Sequence, residues 1–169
     1  MEIRKCLLGE VGILRDLALN TFDDTYRTKN DPENYTRYIE ENFSTAKLES
    51  ELSDSRVEYF VLFVESNPAA YIKLNYDDAQ TNFQGDEYAE IERIYVKREF
   101  KRKGLGRKLM DFACTAARSR TKSKLWLGVW SENPQAISFY QNYGLVKIGE
   151  HDFMMGNEAQ NDWIMELIL

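Results

Sequence analysis

Histidine and cysteine are scarce in this chain of 169 residues. There is one histidine, His151, and there are two cysteines, Cys6 and Cys114. A single histidine makes a histidine-rich metal site impossible, and the cysteines have neither metal-site nor redox spacing. We therefore expect no metal, and a reducing cytoplasm is the simplest location for the protein.

Long apolar runs are also missing. No run approaches the length of about eighteen residues that spans a bilayer, and Met1-Glu2-Ile3-Arg4 does not resemble the start of a signal peptide. We expect no membrane partner. The contents of 43% hydrophobic and 13% aromatic residues are typical of a globular protein. Without linkers or repeats, residues 1–169 are predicted to form one domain.

Positive charge is concentrated in one segment. Residues 97–108 contain seven Lys or Arg and one Glu, a net charge of +6, whereas the chain carries −6 and the remainder therefore −12. Basic segments can bind nucleic acid. The acidic remainder, the embedded glycines and the single aromatic residue, Phe100, argue against that partner. An acidic body around a basic pocket instead favours an anionic cofactor and a cationic substrate.

The basic segment joins a predicted strand, residues 89–97, to a predicted helix that follows Gly104-Leu105-Gly106. Glycine lets backbone N–H groups converge without a Cβ between them. The helix dipole favours negative charge at this end, as in a pyrophosphate site. The spacing does not fit a Walker loop. A dinucleotide fingerprint is also excluded, because Leu109 is bulky and the stretch around 120–125 is basic.

A second strand and helix follow downstream. The apolar run KLWLGVW, residues 124–130, predicts a buried strand. Asn133, followed by proline, fits a helix N-cap, and Gly144 fits the C-cap. Asn133, Ala136 and Tyr140 recur at three- and four-residue spacing, so they share one face of this helix.

Both segments resemble the GNAT family of N-acetyltransferases, which hold acetyl-coenzyme A. The first reads Lys101-Arg102-Lys103-Gly104-Leu105-Gly106 where the family has [Q/R]-x-x-G-x-[G/A], with Lys101 in place of Gln or Arg. The resemblance covers essentially the whole chain. It implies an α/β (α+β) fold with a mixed central β-sheet and helices on both faces. The predicted element order, β-α-α-(α)-β-β-β-α-β-α-β-β, fits that fold.

The resemblance also implies where acetyl-CoA, the expected cosubstrate, is held. Its pyrophosphate is expected at the glycine turn, and its pantetheine along a strand edge where two parallel strands of the family fold separate. The residues implied to bind it are Ile94, Tyr95, Val96, Arg102, Lys103, Gly104, Leu105, Gly106, Arg107 and Asn133.

Acetyl transfer to an amine needs a base, because an alkylamine with a pKa of about 10.4 arrives protonated. Strand alternation places four side chains on one face: Glu90, Glu92, Ile94 and Val96. We predict Glu92 as the base and Glu90 as the second candidate. An ion pair with Arg93 is the structural alternative for Glu92. The family resemblance implies that Tyr140 is the acid that protonates the leaving thiolate. The alternative is that Tyr140 is only a core aromatic residue. A backbone N–H of residues 94–96 is the implied oxyanion donor.

The tail, residues 149–165, resembles that of the PaiA-type spermidine/spermine N-acetyltransferases, which runs His-x-Phe-x-Met-Gly-x-Glu-x-Gln-x-Asp-x-x-Met. This resemblance implies acetyl transfer to a primary amine of a polyamine by direct attack in a ternary complex. On its own, His151 is more typical of a strand histidine that is bonded locally. Gln160 and Asp162 either order the closing hairpin or line the substrate entrance.

Charge supports a small cationic amine as substrate. Three acidic pairs in predicted loops or at element ends are candidates to line a cleft that binds it: Asp23-Asp24, Asp77-Asp78 and Asp86-Glu87. Two alternatives stay open, an acetyltransferase acting on a protein amine and a non-catalytic sensor of acetyl-CoA or polyamine. Related enzymes are often dimers, so a homodimer also stays open.

Overall fold

The computed structural model describes residues 1–169, and its strands and helices follow the predicted order. The elements are β1 (Glu2–Lys5), α1 (Val11–Tyr26), α2 (Pro32–Asn42), α3 (Thr45–Leu52), β2 (Val57–Val64), β3 (Asn67–Tyr76), β4 (Tyr88–Val96), α4 (Leu105–Ser119), β5 (Lys124–Trp130), α5 (Pro134–Tyr143), β6 (Val146–Met155) and β7 (Glu158–Ile168). The predicted fold class is confirmed.

Capping residues explain where several helices begin and end. The Asp31 carboxylate accepts hydrogen bonds from the N–H groups of Glu33 and Asn34, at 3.0 and 3.1 Å, at the start of α2. Ser44 caps α3 through the N–H of Lys47 at 3.3 Å. Gly144 ends α5 with φ +117°, a conformation that glycine adopts without the steric penalty of a Cβ.

The β2–β3 turn lies slightly earlier than predicted. The segment Ser66-Asn67-Pro68 predicts a turn between these strands, but the residues with positive φ are Glu65 (+49°) and Ser66 (+66°). Two central residues with positive φ are typical of the tight hairpin turn whose twist matches the flanking strands. Pro68 lies within β3, beside a register shift where its missing N–H is tolerated.

Seven strands form one sheet in the order β1-β2-β3-β4-β5-β7-β6. Every neighbouring pair is antiparallel except β4 and β5, which are parallel. Parallel neighbours need a crossover, and α4 supplies it. The sheet is therefore mixed, with its only parallel pair near the middle.

Helices cover both faces of the sheet. On one face the main core packs apolar residues of α4 and α5, such as Leu109 and Ile137, against the strands. On the other face a second core is formed by residues of α1, α2 and α3, such as Leu17, Tyr35 and Leu48. None of the helices combines the length and the hydropathy that crossing a membrane requires.

Candidate active site

The parallel strands β4 and β5 separate within the sheet. They pair only at Tyr88–Lys124, Ala89–Leu125 and Glu90–Trp126, although β4 continues to Val96 and β5 to Trp130. Beyond Glu90, β4 therefore has an edge without β5 as its partner. Such an edge offers N–H and C=O groups to an extended ligand. The strand separation that the family resemblance implied is thus present.

A β-bulge lies at Glu92, just past the point of separation. On β3, Lys73 pairs with Arg93 and the next residue, Leu74, pairs with Ile91. Glu92 is therefore the extra residue of β4. Bulges re-aim side chains and are frequent beside active sites.

The bulge overturns the prediction that Glu90, Glu92, Ile94 and Val96 share one face, which assumed an unbroken strand. Ile94 and Val96 pack against the same core as Ile91. Because side chains alternate before the bulge, Glu90 lies on the face opposite to Ile91. The extra residue thus places Glu90 and Ile94 on opposite faces of the sheet.

A cavity of about 740 Å³ occupies the separation and reaches both faces of the sheet. What we term its coenzyme half is bordered by residues 100–102 and 104–107 and by the first turns of α5. What we term its acceptor half is bordered by the end of α1 and by the β6–β7 hairpin. Concave sites of this size are typical of small-molecule binding.

The N-terminus of α4 supplies backbone donors to the coenzyme half. Gly104 precedes the helix with φ +78°, and the first helical hydrogen bond runs from the N–H of Lys108 to the carbonyl of Gly104, at 3.2 Å. The N–H groups of residues 105–107 consequently have no partner within the helix. A Cβ on Gly106 would lie 3.2 Å from Cζ of Phe139, so glycine also allows α5 to pack closely here. The arrangement can bind an anion.

Nine of the ten residues predicted to bind the cofactor border the cavity. These are Ile94, Tyr95, Val96, Arg102, Gly104, Leu105, Gly106, Arg107 and Asn133. The exception is Lys103, whose Nζ lies 5.2 Å from the ring centroid of Phe100. Lys101 borders the cavity instead. It was visible in the sequence as the first residue of the motif.

Helix α5 presents Asn133 and Tyr140 to the cavity. Oδ1 of Asn133 accepts the N–H of Ala136 at 3.2 Å and so caps the helix. Tyr140 is 8% exposed and borders the cavity. Burial, with the nearby Tyr95 phenol, raises the pKa of Tyr140 above its usual value. The phenol therefore keeps its proton throughout the neutral range.

Glu92 is held in ionic contacts. Its carboxylate pairs with Lys73 and with Arg93 at 3.4 Å, and it accepts a hydrogen bond from Asn75 at 2.7 Å. Burial favours a raised pKa, but the charges of Arg93 and Lys73 outweigh it and lower the pKa of Glu92 to about 2. A carboxylate with so low a proton affinity is a weak base. The structural alternative considered for Glu92 is therefore observed.

Glu90 has the opposite electrostatic environment. It is 2% exposed and borders the cavity at the point of strand separation. Burial and the charge of Glu92 raise the pKa of Glu90 to about 7, against hydrogen bonds from Thr81 and Asn75 that favour the carboxylate. A carboxyl group with a pKa near neutrality is suited to proton transfer.

The β6–β7 hairpin contributes polar side chains to the acceptor half. His151 pairs with Asp162 across the hairpin, and both residues border the cavity, as does Gln160. Nδ1 of His151 lies 3.3 Å from Nδ2 of Asn82, which is the local bonding expected for this histidine. Burial raises the pKa of Asp162 to about 7.

The three acidic pairs mostly lie elsewhere. Of their six residues only Asp24 borders the cavity. Asp77 pairs with Lys122, and Asp78 pairs with Arg56 at 2.6 Å. The prediction that these pairs line a cleft is therefore wrong for five of the six residues, which lie outside the cavity, and four of those five are paired with neighbouring cations.

The family assignment rests on sequence. The sequence model of the acetyltransferase (GNAT) family matches residues 16–145. The chain is also 37% identical over 153 residues to an uncharacterised N-acetyltransferase of Lactobacillus delbrueckii subsp. lactis, with 90% of this chain and 88% of that protein covered. This chain belongs to the GNAT family of acetyltransferases. Acetyl-CoA is thus its acetyl donor, and acetyl transfer to nitrogen is its reaction.

Solved structures share the fold over almost the whole chain. PaiA N-acetyltransferase from Thermoplasma acidophilum, in complex with coenzyme A, has a TM-score of 0.81 at 24% identity, covering 99% of this chain and 98% of that one. The ribosomal-protein-S18-alanine N-acetyltransferase of Escherichia coli has a TM-score of 0.71 at 18% identity, covering 99% and 92%. At these identities the likeness concerns the fold alone, and it does not select an acceptor.

Proposed function

We propose that this acetyltransferase transfers the acetyl group to a primary amine of a polyamine such as spermidine or spermine. The observation that carries the proposal is the distribution of charge in the cavity. The coenzyme half is bordered by Lys101, Arg102 and Arg107. Four carboxylates, Asp24, Glu90, Glu92 and Asp162, border the acceptor half against two cations, Lys29 and Arg93, the second of which is paired with Glu92. An anionic donor and a cationic acceptor thus each meet the opposite charge.

Aromatic side chains in the acceptor half suit the methylene segments of a polyamine. Phe22, Tyr26, Tyr38, Trp130 and Phe153 all border it, and the rings of Tyr26 and Trp130 are 6.1 Å apart. Aromatic faces pack against methylene groups and attract ammonium groups. A long, flexible dication or trication offers these aromatic faces both methylene groups and ammonium groups.

The coenzyme half fits acetyl-CoA. The free N–H groups of residues 105–107 and the charges of Arg102 and Arg107 are placed to hold the pyrophosphate, and the open edge of β4 is placed to hold an extended pantetheine. When bound, acetyl-CoA supplies an acetyl group activated as a thioester. A backbone N–H of residues 94–96 stabilises charge that develops on the carbonyl oxygen.

The proposed mechanism is direct transfer of the acetyl group from acetyl-CoA to the amine in a ternary complex. No cysteine or serine borders the cavity, and Cys6 and Cys114 are both buried and free. The chain therefore places no thiol or serine hydroxyl where it would carry an acetyl group. Unpaired cysteines also suit the cytoplasmic location included in this proposal.

We assign the base to Glu90 in place of Glu92. With a pKa of about 7, Glu90 is substantially ionised at neutral pH and retains useful proton affinity, whereas Glu92 is already committed to Lys73. Glu90 accepts the proton of the attacking amine directly or through one water. Tyr140 supplies a proton to the leaving thiolate.

Arg102 and Lys103 provide a matched test of the coenzyme half. They are adjacent and exposed, but only Arg102 borders the cavity. Arg102→Ala is expected to raise the KM for acetyl-CoA about three- to tenfold, the effect of losing one charge-assisted hydrogen bond at an exposed site. Lys103→Ala is expected to change that KM less than twofold. Equal effects in steady-state assays would contradict the placement of the pyrophosphate.

A panel of amines tests the acceptor. Coenzyme A release is measured with spermine, spermidine, putrescine, free lysine and a short peptide bearing a free N-terminus. The proposal predicts that the kcat/KM values for spermidine and spermine exceed those for lysine and the peptide at least tenfold. Preference for the peptide would support the protein-acetyltransferase alternative, and tight acetyl-CoA binding without turnover of any amine would support the sensor. Either result would contradict the proposal of a polyamine acceptor.

A further inference from the structure

Strand β7 carries two hydrogen-bond acceptors that have no partner in the protein. Oδ1 of Asp162 and Oε1 of Gln160 are buried and unbonded. Asp162 is only 9% exposed, and both residues border the acceptor half of the cavity. Buried acceptors in folded proteins are nearly always bonded. Two unbonded acceptors beside one cavity indicate that the donor belongs to a ligand.

The two acceptors are arranged to act together. They lie two residues apart on one strand and so share a face, with their Cα atoms roughly 6.6 Å apart. Nε2 of Gln160 bonds to Asn30, which leaves the carbonyl end of the amide free. Burial is the only influence that shifts the pKa of Asp162, which it raises to about 7. No cation of the protein therefore compensates this carboxylate.

The absence of a side chain at Gly128 of β5 leaves room for the Asp162 carboxylate. A Cβ at Gly128 would lie 3.1 Å from Oδ2 of Asp162 and 3.6 Å from Nε2 of His151. Any larger residue would crowd both side chains. Gly128 itself borders the cavity, so the carboxylate has open space beside it, with His151 as its neighbour across the hairpin.

The geometry points to Asp162, assisted by Gln160, as the site that binds a protonated nitrogen of the acceptor. An ammonium group has several N–H donors and a charge, and it therefore satisfies a carboxylate and an amide carbonyl together. This inference rests on the proposed polyamine acceptor, which has further nitrogens besides the one acetylated. Glu90 accepts the proton of the nitrogen that is acetylated, whereas Asp162 binds a second nitrogen that stays protonated.

The test measures binding separately from turnover. Spermidine is titrated calorimetrically into the protein saturated with coenzyme A, using wild type, Asp162→Asn and Asp152→Asn. Asp152 is the matched control, because it is an exposed aspartate of the same hairpin and does not border the cavity. Asp162→Asn is expected to weaken spermidine binding at least tenfold, with the affinity for coenzyme A unchanged. Asp152→Asn is expected to change neither.

A second variant leaves the charge in place. Gly128→Ala displaces the Asp162 carboxylate and is expected to raise the KM for spermidine at least fivefold, with the KM for acetyl-CoA unchanged.

If wild type binds spermidine and Asp162→Asn binds it equally well, this site is wrong and the polyamine proposal stands. If wild type does not bind spermidine at all, both are wrong. Equal loss of coenzyme A and spermidine affinity would show a structural role for Asp162.

Discussion

Replacing Tyr140 with phenylalanine is expected to lower kcat about a hundredfold or more, which is the usual contribution of a positioned general acid. The phenol borders the cavity, and its raised pKa keeps it protonated, which is the form that donates to a thiolate. Phenylalanine preserves the ring and its packing against Phe139, whose centroid is 5.3 Å away. Affinity for coenzyme A and thermal stability are therefore expected to stay close to wild type.

Tyr143 supplies the control for this change. It lies three residues later on α5, does not border the cavity, and donates its hydroxyl proton to Asp111 at 2.7 Å. Tyr143→Phe is expected to cost about 1 kcal/mol of stability, the worth of one hydrogen bond, with kcat unchanged. If Tyr140→Phe retained the kcat of wild type, Tyr140 would be a core aromatic, and the assignment of the acid would have to be withdrawn.

Glu90→Gln is expected to lower kcat/KM for the amine about a hundredfold or more and to change its pH dependence. Glu90 acts as a base only when ionised. Because its pKa is raised to about 7, the ionised fraction and therefore kcat/KM should rise between about pH 6 and pH 8. The glutamine variant should lose this limb and keep only the limb set by ionisation of the amine.

Glu92→Gln distinguishes the two glutamates. Glu92 neutralises Lys73 and Arg93, both almost completely buried. Removing its charge is expected to cost about 3 kcal/mol of unfolding free energy, since a partner of buried cations is lost. The folded fraction should keep a pH limb, shifted to lower pH than in wild type because the charge of Glu92 no longer raises the pKa of Glu90. Loss of that limb in Glu92→Gln, with the limb retained in Glu90→Gln, would restore Glu92 as the base.

Much of the fold could be predicted because its signals are local. Asn133, Pro134 and Gly144 bound α5 as expected, and β5 has the predicted limits, residues 124–130. Caps and short apolar runs depend on a few adjacent residues. The bulge at Glu92 depends instead on how β4 registers against β3. No local pattern in β4 reveals it, so the predicted face of the strand was wrong.

The coenzyme half was easier to predict than the acceptor half for the same reason. Its glycines and arginines are neighbours in the chain and form a recognisable spacing. The group formed by Gly128, His151 and Asp162 is assembled from three strands whose register is set by tertiary packing. The sequence analysis singled out His151 and Asp162, but it did not single out Gly128 or show that the three residues meet. The prediction that the acidic pairs line a cleft was wrong because charge in the sequence does not reveal a neutralising partner.

Direct transfer to a polyamine is tested by a two-substrate kinetic matrix in acetyl-CoA and spermidine, with the products identified by mass spectrometry. Direct transfer predicts lines that intersect in double-reciprocal plots, because both substrates occupy the cavity together before transfer. It also predicts one acetylspermidine for each coenzyme A released. Parallel lines with an acetylated protein intermediate, or coenzyme A release without acetylspermidine, would contradict direct transfer to a polyamine.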